Sequence, residues 1–452
     1  MPRILCVVLH IPHVPSTGGM TRAFHLVRAV TDVADVTLVG AAESLTSASL
    51  DMMRPLCDRI LLVPPPSPFR HEALEPWSRF SPALVRHVLD VVRALKRVNP
   101  YTYGRYDQAA IRTAVRDLLW QGDYDLVLVD TNELGEILQE DIVAWNGPSV
   151  ALLHDVQWVQ EVRSQRVREW AIQQQRLREE SPIPGYALLR TIKRSLQRWS
   201  GRCLVLRLKA GEEAIVRTYT RVVAVSEVDA AQLESLVAGK KVDVVPNGVD
   251  VRYFSETVPG PNGAHSGQLH DTLVFTGALG YPPNVDAMRF FIAEIWPLIQ
   301  VRRPTVRLWV VGASPSSEMQ ALAQQAGIEI YASVPDVRPY LRDSAVAVVP
   351  LRLGSGTRLK ILEALAAGRP VVSTTLGAEG LHLESGRDLL LADTPAEFAD
   401  AVVTLLECPD DARQLAAHGQ ETVRRLYSWD TIEIALQQIL RQFSADSTFN
   451  AG

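Results

Sequence analysis

The chain has 452 residues but only four cysteines, Cys6, Cys57, Cys203 and Cys408, and no two of them form a CxxC pair. Thiols scattered in this way argue against a disulfide framework and a cysteine-type zinc site, and they fit a reducing compartment. No stretch reaches 18 uncharged apolar residues, so a transmembrane helix is not expected. The opening MPRILCVVLHIP lacks the long apolar region and small-residue cleavage site of a secretory signal, and reads instead as a first β-strand. The net charge is −5, which disfavours nucleic acid as a general partner without excluding a local basic patch. No fixed-period repeat is visible. The dinucleotide pattern GxGxxG is missing as well, which disfavours a nicotinamide or flavin cofactor. The expected location is cytoplasmic, with peripheral attachment to the inner face of the cell membrane as the alternative to a freely soluble enzyme.

What is present is alternation. Apolar strand candidates such as RILCVVLH, VADVTLVGAA, DYDLVLVDT and SVALLHD are separated by helical patterns. Near-continuous apolar strands with intervening helices predict parallel sheets covered on both faces, an α/β fold. A chain of this length exceeds one ordinary core, so two domains are expected. The turn pair Asn247-Gly248 and the Gly- and Pro-rich stretch VPGPNGAHSGQLHD mark the boundary. The sequence therefore predicts a first domain over 1–255, a second over 268–427, and a closing helix over 428–443 with Ser428 as its cap. Strands stop between Glu161 and Leu208, where arginine is frequent and SPIPG interrupts. Two solvated helices are the plainer reading of that segment; a basic surface for an anionic acceptor or membrane is the sharper one. LKAGEEAIVR after it reads as another helix.

The most informative stretch is LRLGSGTRLKILEALAAGRPVVSTTLGAEG, from Leu351 to Gly380. A strand feeds a Gly-Ser-Gly turn, and a helix follows that Gly368 closes. Ligands of open parallel sheets bind beyond the carboxyl ends of the strands. Gly354 and Gly356 allow close backbone approach, and the first helical amides can face an anion. Arg358 and Lys360 add positive charge there, and Glu363, one turn on, can accept bonds from sugar hydroxyls. A pyrophosphate satisfies all of these features, while solvated charges paired along a helix are the plainer alternative. Gly18-Gly19, between the first strand and the first helix, is a second phosphate or sugar candidate. His154 stands at a strand end, where a cleft residue and a structural histidine are both open readings. The Asp-x-Asp at Asp123 begins a buried strand and reads as structural, so no metal is implied.

The motifs VAVSEVD with VVPNGVD, FTGALGYPPNVDAMRFF, YASVPDVRPYL and GSGTRLKILEALAAGRPVVSTTLGAEGL, in this order, closely resemble the retaining glycosyltransferases of family 4, the group 1 glycosyltransferases. The resemblance covers most of the chain. It implies a GT-B fold: two facing Rossmann-like domains with parallel sheets, the second binding a nucleotide-sugar donor, and a C-terminal crossover helix. It places Glu363 on the donor ribose and Val334 and Asp336 of SVPD along the base. Gly277 and Gly280 fall in the first loop of the donor domain, Gly18 and Gly19 at the inter-domain cleft, and His154 beside the donor sugar. Two departures stand out. The family's other acidic residue falls on Ser355, so the Gly354–Thr357 backbone is expected to take over the sugar contact. No cation lies near Leu279 to Asn284, which leaves Arg358 and Lys360 to replace that charge.

The implied reaction is transfer of a hexose with retention of configuration, as in polysaccharide biosynthesis, to a hydroxyl of a glycan, lipid-linked or small-molecule acceptor. Arg358, Lys360 and helix amides would stabilise the leaving diphosphate, and His154 would serve the reacting sugar. No cofactor beyond the donor is implied. A GT-B sugar-nucleotide epimerase and a non-catalytic nucleotide-sugar binding protein are the alternatives; an oxidoreductase is weakened by the absent GxGxxG.

Overall fold

The computed structural model describes residues 1–14, 18–42, 47–64, 108–178, 184–256, 258, 271–322 and 324–446. The chain folds as two compact units, Met1–Val245 with the chain from Glu433 onward, and Pro246–Ile432. The glycine-rich stretch over 259–270 and the first three residues of SPIPG lie outside the described residues.

The first unit is built on a seven-stranded sheet in the order β3-β2-β1-β4-β5-β6-β7. Its strands are β1 (Arg3–His10), β2 (Asp35–Ala41), β3 (Arg59–Val63), β4 (Leu126–Asp130), β5 (Ser149–Leu152), β6 (Arg221–Ala224) and β7 (Asp243–Val244). Every pairing is parallel. Cys6 of β1 registers with Leu38 on one side and Leu128 on the other, and the strand is apolar and buried from Ile4 to Val8. Leu5, Val7, Val127, Val129, Ala151 and Val222 lie in one buried cluster. Burial on both faces explains why these strands do not alternate polar and apolar residues.

Between β5 and β6 run two long helices, Gln157–Arg178 and Pro184–Thr218. LKAGEEAIVR is not a separate helix, as its pattern suggested, but the end of this second helix of 35 residues. Glycine within it permits close helix packing: a Cβ on Gly201 would stand 2.9 Å from the Gln165 side chain. Gln165 Nε2 uses that approach to donate to the Gly201 carbonyl at 2.8 Å.

The second unit carries a six-stranded sheet in the order β10-β9-β8-β11-β12-β13. These strands are β8 (Thr272–Thr276), β9 (Arg307–Gly312), β10 (Ile328–Ala332), β11 (Val346–Val349), β12 (Val371–Ser373) and β13 (Leu390–Leu391). They too pair in parallel. The stretch NVDAMRFFIAEIWPLIQ is helical but interrupted by a π-helical turn, Phe291–Ile295, between helices Pro282–Phe290 and Trp296–Arg302. Pro297 supplies the reason, since it has no N–H to continue the i→i−4 ladder.

The last described helix, Trp429–Asp446, begins in the second unit, and from Glu433 onward it belongs to the first. The Ser428 hydroxyl accepts the Thr431 N–H at 3.3 Å and caps it. Further along, Glu433 pairs with His25 at 2.7 Å and Arg28 at 2.6 Å, both on helix Gly18–Thr31.

Candidate active site

Each sheet has one place where the winding reverses. In the second unit, β8 is followed by β9 on one side while β11 leads to β12 on the other. Loops leaving β8 and β11 therefore part and open a crevice at their carboxyl ends. The sequence candidates Gly277, Gly280 and Gly354–Thr357 occupy those loops.

The β8 loop is tied along β9, with Gly277 N–H donating to Val311 at 3.0 Å and Leu279 N–H to Ala313 at 2.8 Å. A Cβ on Gly277, whose φ is +144°, would stand 2.9 Å from Asn284 Nδ2 and 3.0 Å from Lys360 Nζ. Asn284 is buried. Its Nδ2 donates to the Ala278 carbonyl at 2.8 Å, and its Oδ1 accepts from Lys360 Nζ at 2.7 Å. Lys360 thus reaches from the helix after β11 (Leu359–Ala366) to the loop after β8, with its Nζ 4.0 Å from the Phe275 ring centre. This is where the sequence lacked the cation expected near Leu279 to Asn284. Both Lys360 and Glu363 retain partial exposure, yet burial of their charged ends dominates their titration. It pushes Lys360 down to about 7, with Glu363 opposing and Arg358 assisting. It pushes Glu363 up to about 7, with Lys360 opposing. The two stand one turn apart and share one electrostatic environment.

Arg358 is not a solvated charge on the helix surface, the plainer of the two sequence readings. It is 8% exposed, and its Nη1 donates to the carbonyls of Gly356, at 2.7 Å, and Ser355. The turn wraps its own guanidinium, which requires the positive φ values of Gly354 (+113°) and Gly356 (+73°). Its charge lies beneath the turn. Arg352 fixes the same loop from the other end, donating to both carboxylate oxygens of Asp286 at 3.2 and 3.0 Å and stacking over Phe290. Thr357 and Ser355 stay partly exposed. In the loop after β10, Val334 is half-buried, and the Asp336 carboxylate is committed to Arg338 at 2.7 Å. Burial acts to raise the Asp336 pKa, but bonds from Arg338 outweigh it and leave the value below the ordinary range. Arg338 in turn stacks on Tyr253.

In the first unit the reversal falls between β1 and β4. Asp130 ends β4, and His154 follows β5. His154 Nε2 lies 2.7 Å from the buried Asp130 carboxylate. Gly18 and Gly19 open the helix Gly18–Thr31, and a Cβ on Gly19 would be 4.0 Å from His154 Nδ1. The structure therefore brings Gly19 and His154 together. It adds Arg22, 1% exposed, whose guanidinium donates to the Val245 carbonyl at 3.3 Å. Burial pushes Arg22 down to about 10, with the Asp130 charge opposing. Asp130, Arg22 and Asn284 escaped sequence reasoning. A faint signal existed for Asp130 in the charge that ends LVLVD, a site just past a buried strand.

Residues 270–408 match the family described as Glycosyl transferases group 1. Among curated proteins, the chain is 27% identical over 237 residues to D-inositol 3-phosphate glycosyltransferase of Arthrobacter sp., covering 47% of this chain and 55% of that one. It is 29% identical over 226 residues to phosphatidyl-myo-inositol mannosyltransferase of Mycobacterium leprae, covering 48% and 56%. The chain thus spans about half the length of the curated relatives it matches. In three dimensions it is similar over 99% of its length, and 100% of the other chain, to sucrose-phosphate synthase from Thermosynechococcus elongatus, with a TM-score of 0.68 and 15% identity. Anabaena HepE, solved in complex with UDP and glucose, superimposes over 98% of this chain and 100% of its own, with a TM-score of 0.61 and 14% identity. The chain accordingly has the GT-B architecture of glycosyltransferases, and the region that matches their group 1 members is the one that holds the β8–β11 crevice.

Proposed function

We propose that this protein is a retaining glycosyltransferase of family 4 that moves a hexose from a nucleotide-sugar donor to a hydroxyl acceptor. The observation that carries the reading is the convergence, at the winding reversal of the second sheet, of two glycine loops, the Lys360–Asn284 pair and Glu363. A diphosphate leaving group develops negative charge as its bond to the sugar breaks. Lys360, with the amides opening helix Leu359–Ala366, stabilises that charge where it grows. Arg358 supports the same turn from below. Glu363 accepts from the ribose hydroxyls, the 333–336 loop lies along the base, and Gly354–Thr357 meets the sugar in place of the missing acid at Ser355. His154, oriented by Asp130, faces the transferred sugar beside Gly19.

The acceptor is proposed to be a glycan or a lipid-linked molecule at the inner face of the membrane. Support comes from helix Pro184–Thr218, where Arg198, Trp199, Arg202 and Leu206 are exposed; basic side chains attract anionic headgroups, and Trp favours the interface. Vesicle sedimentation at low and high salt tests this part.

A thermal-shift panel of UDP, GDP, ADP and TDP compounds tests the core of the proposal. One nucleotide diphosphate should raise Tm by mass action, and Glu363→Gln should weaken its binding about tenfold, about 1.4 kcal/mol. No shift with any of the four, or unchanged affinity in the variant, would count against it.

A further inference from the structure

Close to His154 lies a buried acid that the proposed chemistry does not use. Glu212 sits in helix Pro184–Thr218 and is 2% exposed. Its Oε1 accepts the backbone N–H of Gln157 at 2.7 Å and Asn132 Nδ2 at 3.1 Å. Gln157 is the first residue of helix Gln157–Arg178. Glu212 therefore supplies, from a distant helix, an acceptor for one of the amides that a helix start leaves unsatisfied.

Its second partner matters more. Asn132 Nδ2 also donates to the Asp155 carbonyl at 3.0 Å, while Asn132 Oδ1 accepts the His154 N–H at 3.3 Å. One amide side chain thus clasps both residues of the turn that carries the imidazole. Asp130 fixes the ring, Asn132 fixes the backbone beneath it, and Glu212 holds Asn132. Burial pushes the Glu212 carboxyl well above its ordinary range, and the nearby Asp155 adds to this, against bonds from Gln157, Asn132 and Trp158. The donors that hold it are amides, so the geometry asks for an acceptor of this shape.

We infer that Glu212 is a positioning residue for His154, acting through Asn132 as a hydrogen-bond acceptor on the His154–Asp155 turn. The inference deepens the proposed function, since it rests on His154 facing the donor sugar. A helix cap alone would explain the bond to Gln157 but would not require the one to Asn132.

The test needs neither donor nor acceptor, so it can fail independently of the proposed activity. Full-length protein is labelled with ¹⁵N-histidine, and the His154 ring signals are assigned by their loss in His154→Gln. Glu212→Ala should displace those signals beyond the spread of the other histidines, and Glu212→Gln should restore them. Asn132→Ala provides the same displacement from the other side of the link and serves if Glu212→Ala does not fold. Val216→Ala, a buried position one turn further along the same helix, should lower Tm without moving His154. An undisturbed His154 in Glu212→Ala or Asn132→Ala overturns the inference. So does a Val216→Ala effect of equal size, or a Gln variant that does not rescue.

Discussion

Lys360 carries the most testable chemistry in the chain. Burial brings its ammonium down to about 7 from an ordinary 10.5. In the unfolded chain it stays charged through that interval, so between pH 7 and 10 the unfolded state binds more protons and this residue's contribution makes folding more favourable as pH rises. Ligand binding should run the other way, because a diphosphate attracts the charged form only. Affinity for the preferred nucleotide diphosphate is expected to fall as pH rises through 7, and Lys360→Met should lose about tenfold, or about 1.4 kcal/mol, at pH 6. The deficit should close by pH 9. Titration calorimetry across this range checks it, and parallel curves for parent and variant would place the operative cation elsewhere. Glu363 contributes with opposite sign. Raised to about 7, it holds a proton in the folded state that the unfolded chain releases, so its contribution to stability falls between pH 4.5 and 7.

At the scale of elements, the crevice depends on how closely strand ends approach. A Cβ on Gly312 would stand 1.7 Å from the Gly277 carbonyl oxygen, a distance that no rotamer can relieve because both atoms belong to the main chain. Gly312→Ala should therefore cost about 3 kcal/mol or more in urea unfolding, at the upper end of point-mutant effects. A loss below about 1 kcal/mol would mean that the β8 loop yields easily. Arg352 and Asp286 clamp the neighbouring loop from one side of the crevice to the other, and both side chains are mostly withheld from water. Removing Arg352 leaves Asp286 with Arg289 alone among the described residues, 3.9 Å away, so Arg352→Ala is expected to cost about 3 kcal/mol, the lower end for a broken buried pair. Arg352→Met with Asp286→Leu should recover part of it, and an additive double variant would show that the pair is not coupled. These elements differ in how readable they were. The strands, both glycine turns, Lys360, Glu363 and His154 stood out because apolar runs and glycine punctuation are local. Asn284, Asp130, Asn132, Glu212 and Asp286 did not, since each is an ordinary polar residue until a partner tens of residues away arrives. Arg358 shows the limit from the other side: its spacing announced a cation, but only the turn's backbone conformation could show that the charge is wrapped inside.

For the whole molecule, the decisive feature is that the chain returns to the first unit at Glu433 after completing the second. Helix Trp429–Asp446 carries Glu433 to the buried edge of helix Gly18–Thr31, 408 residues from His25 in sequence. Gln437 adds bonds to the Ala29 carbonyl and the Asp32 carboxylate, at 3.3 and 3.1 Å. The last helix thus adds buried contacts to the first unit, so truncation after Ile432 should lower its Tm even though its sheet is untouched. Burial acts to raise the Glu433 pKa, but hydrogen bonds from His25 and Arg28 outweigh it and leave the value below the ordinary 4.5. A carboxylate lowered in the folded state contributes stability that is complete above its unfolded value and is lost as pH falls through the folded one. Glu433→Gln should therefore cost about 2 kcal/mol near pH 7, the scale of hydrogen bonds to a charged group. The gap between parent and variant should hold down to about pH 5 and then narrow as the carboxylate takes up its proton. Urea unfolding of both proteins from pH 7 to pH 3 reads this directly. A gap independent of pH would assign the loss to packing of the helix, and no gap at all would leave the return of the chain to Ile432, Leu436 and Leu440, which are buried along the same helix.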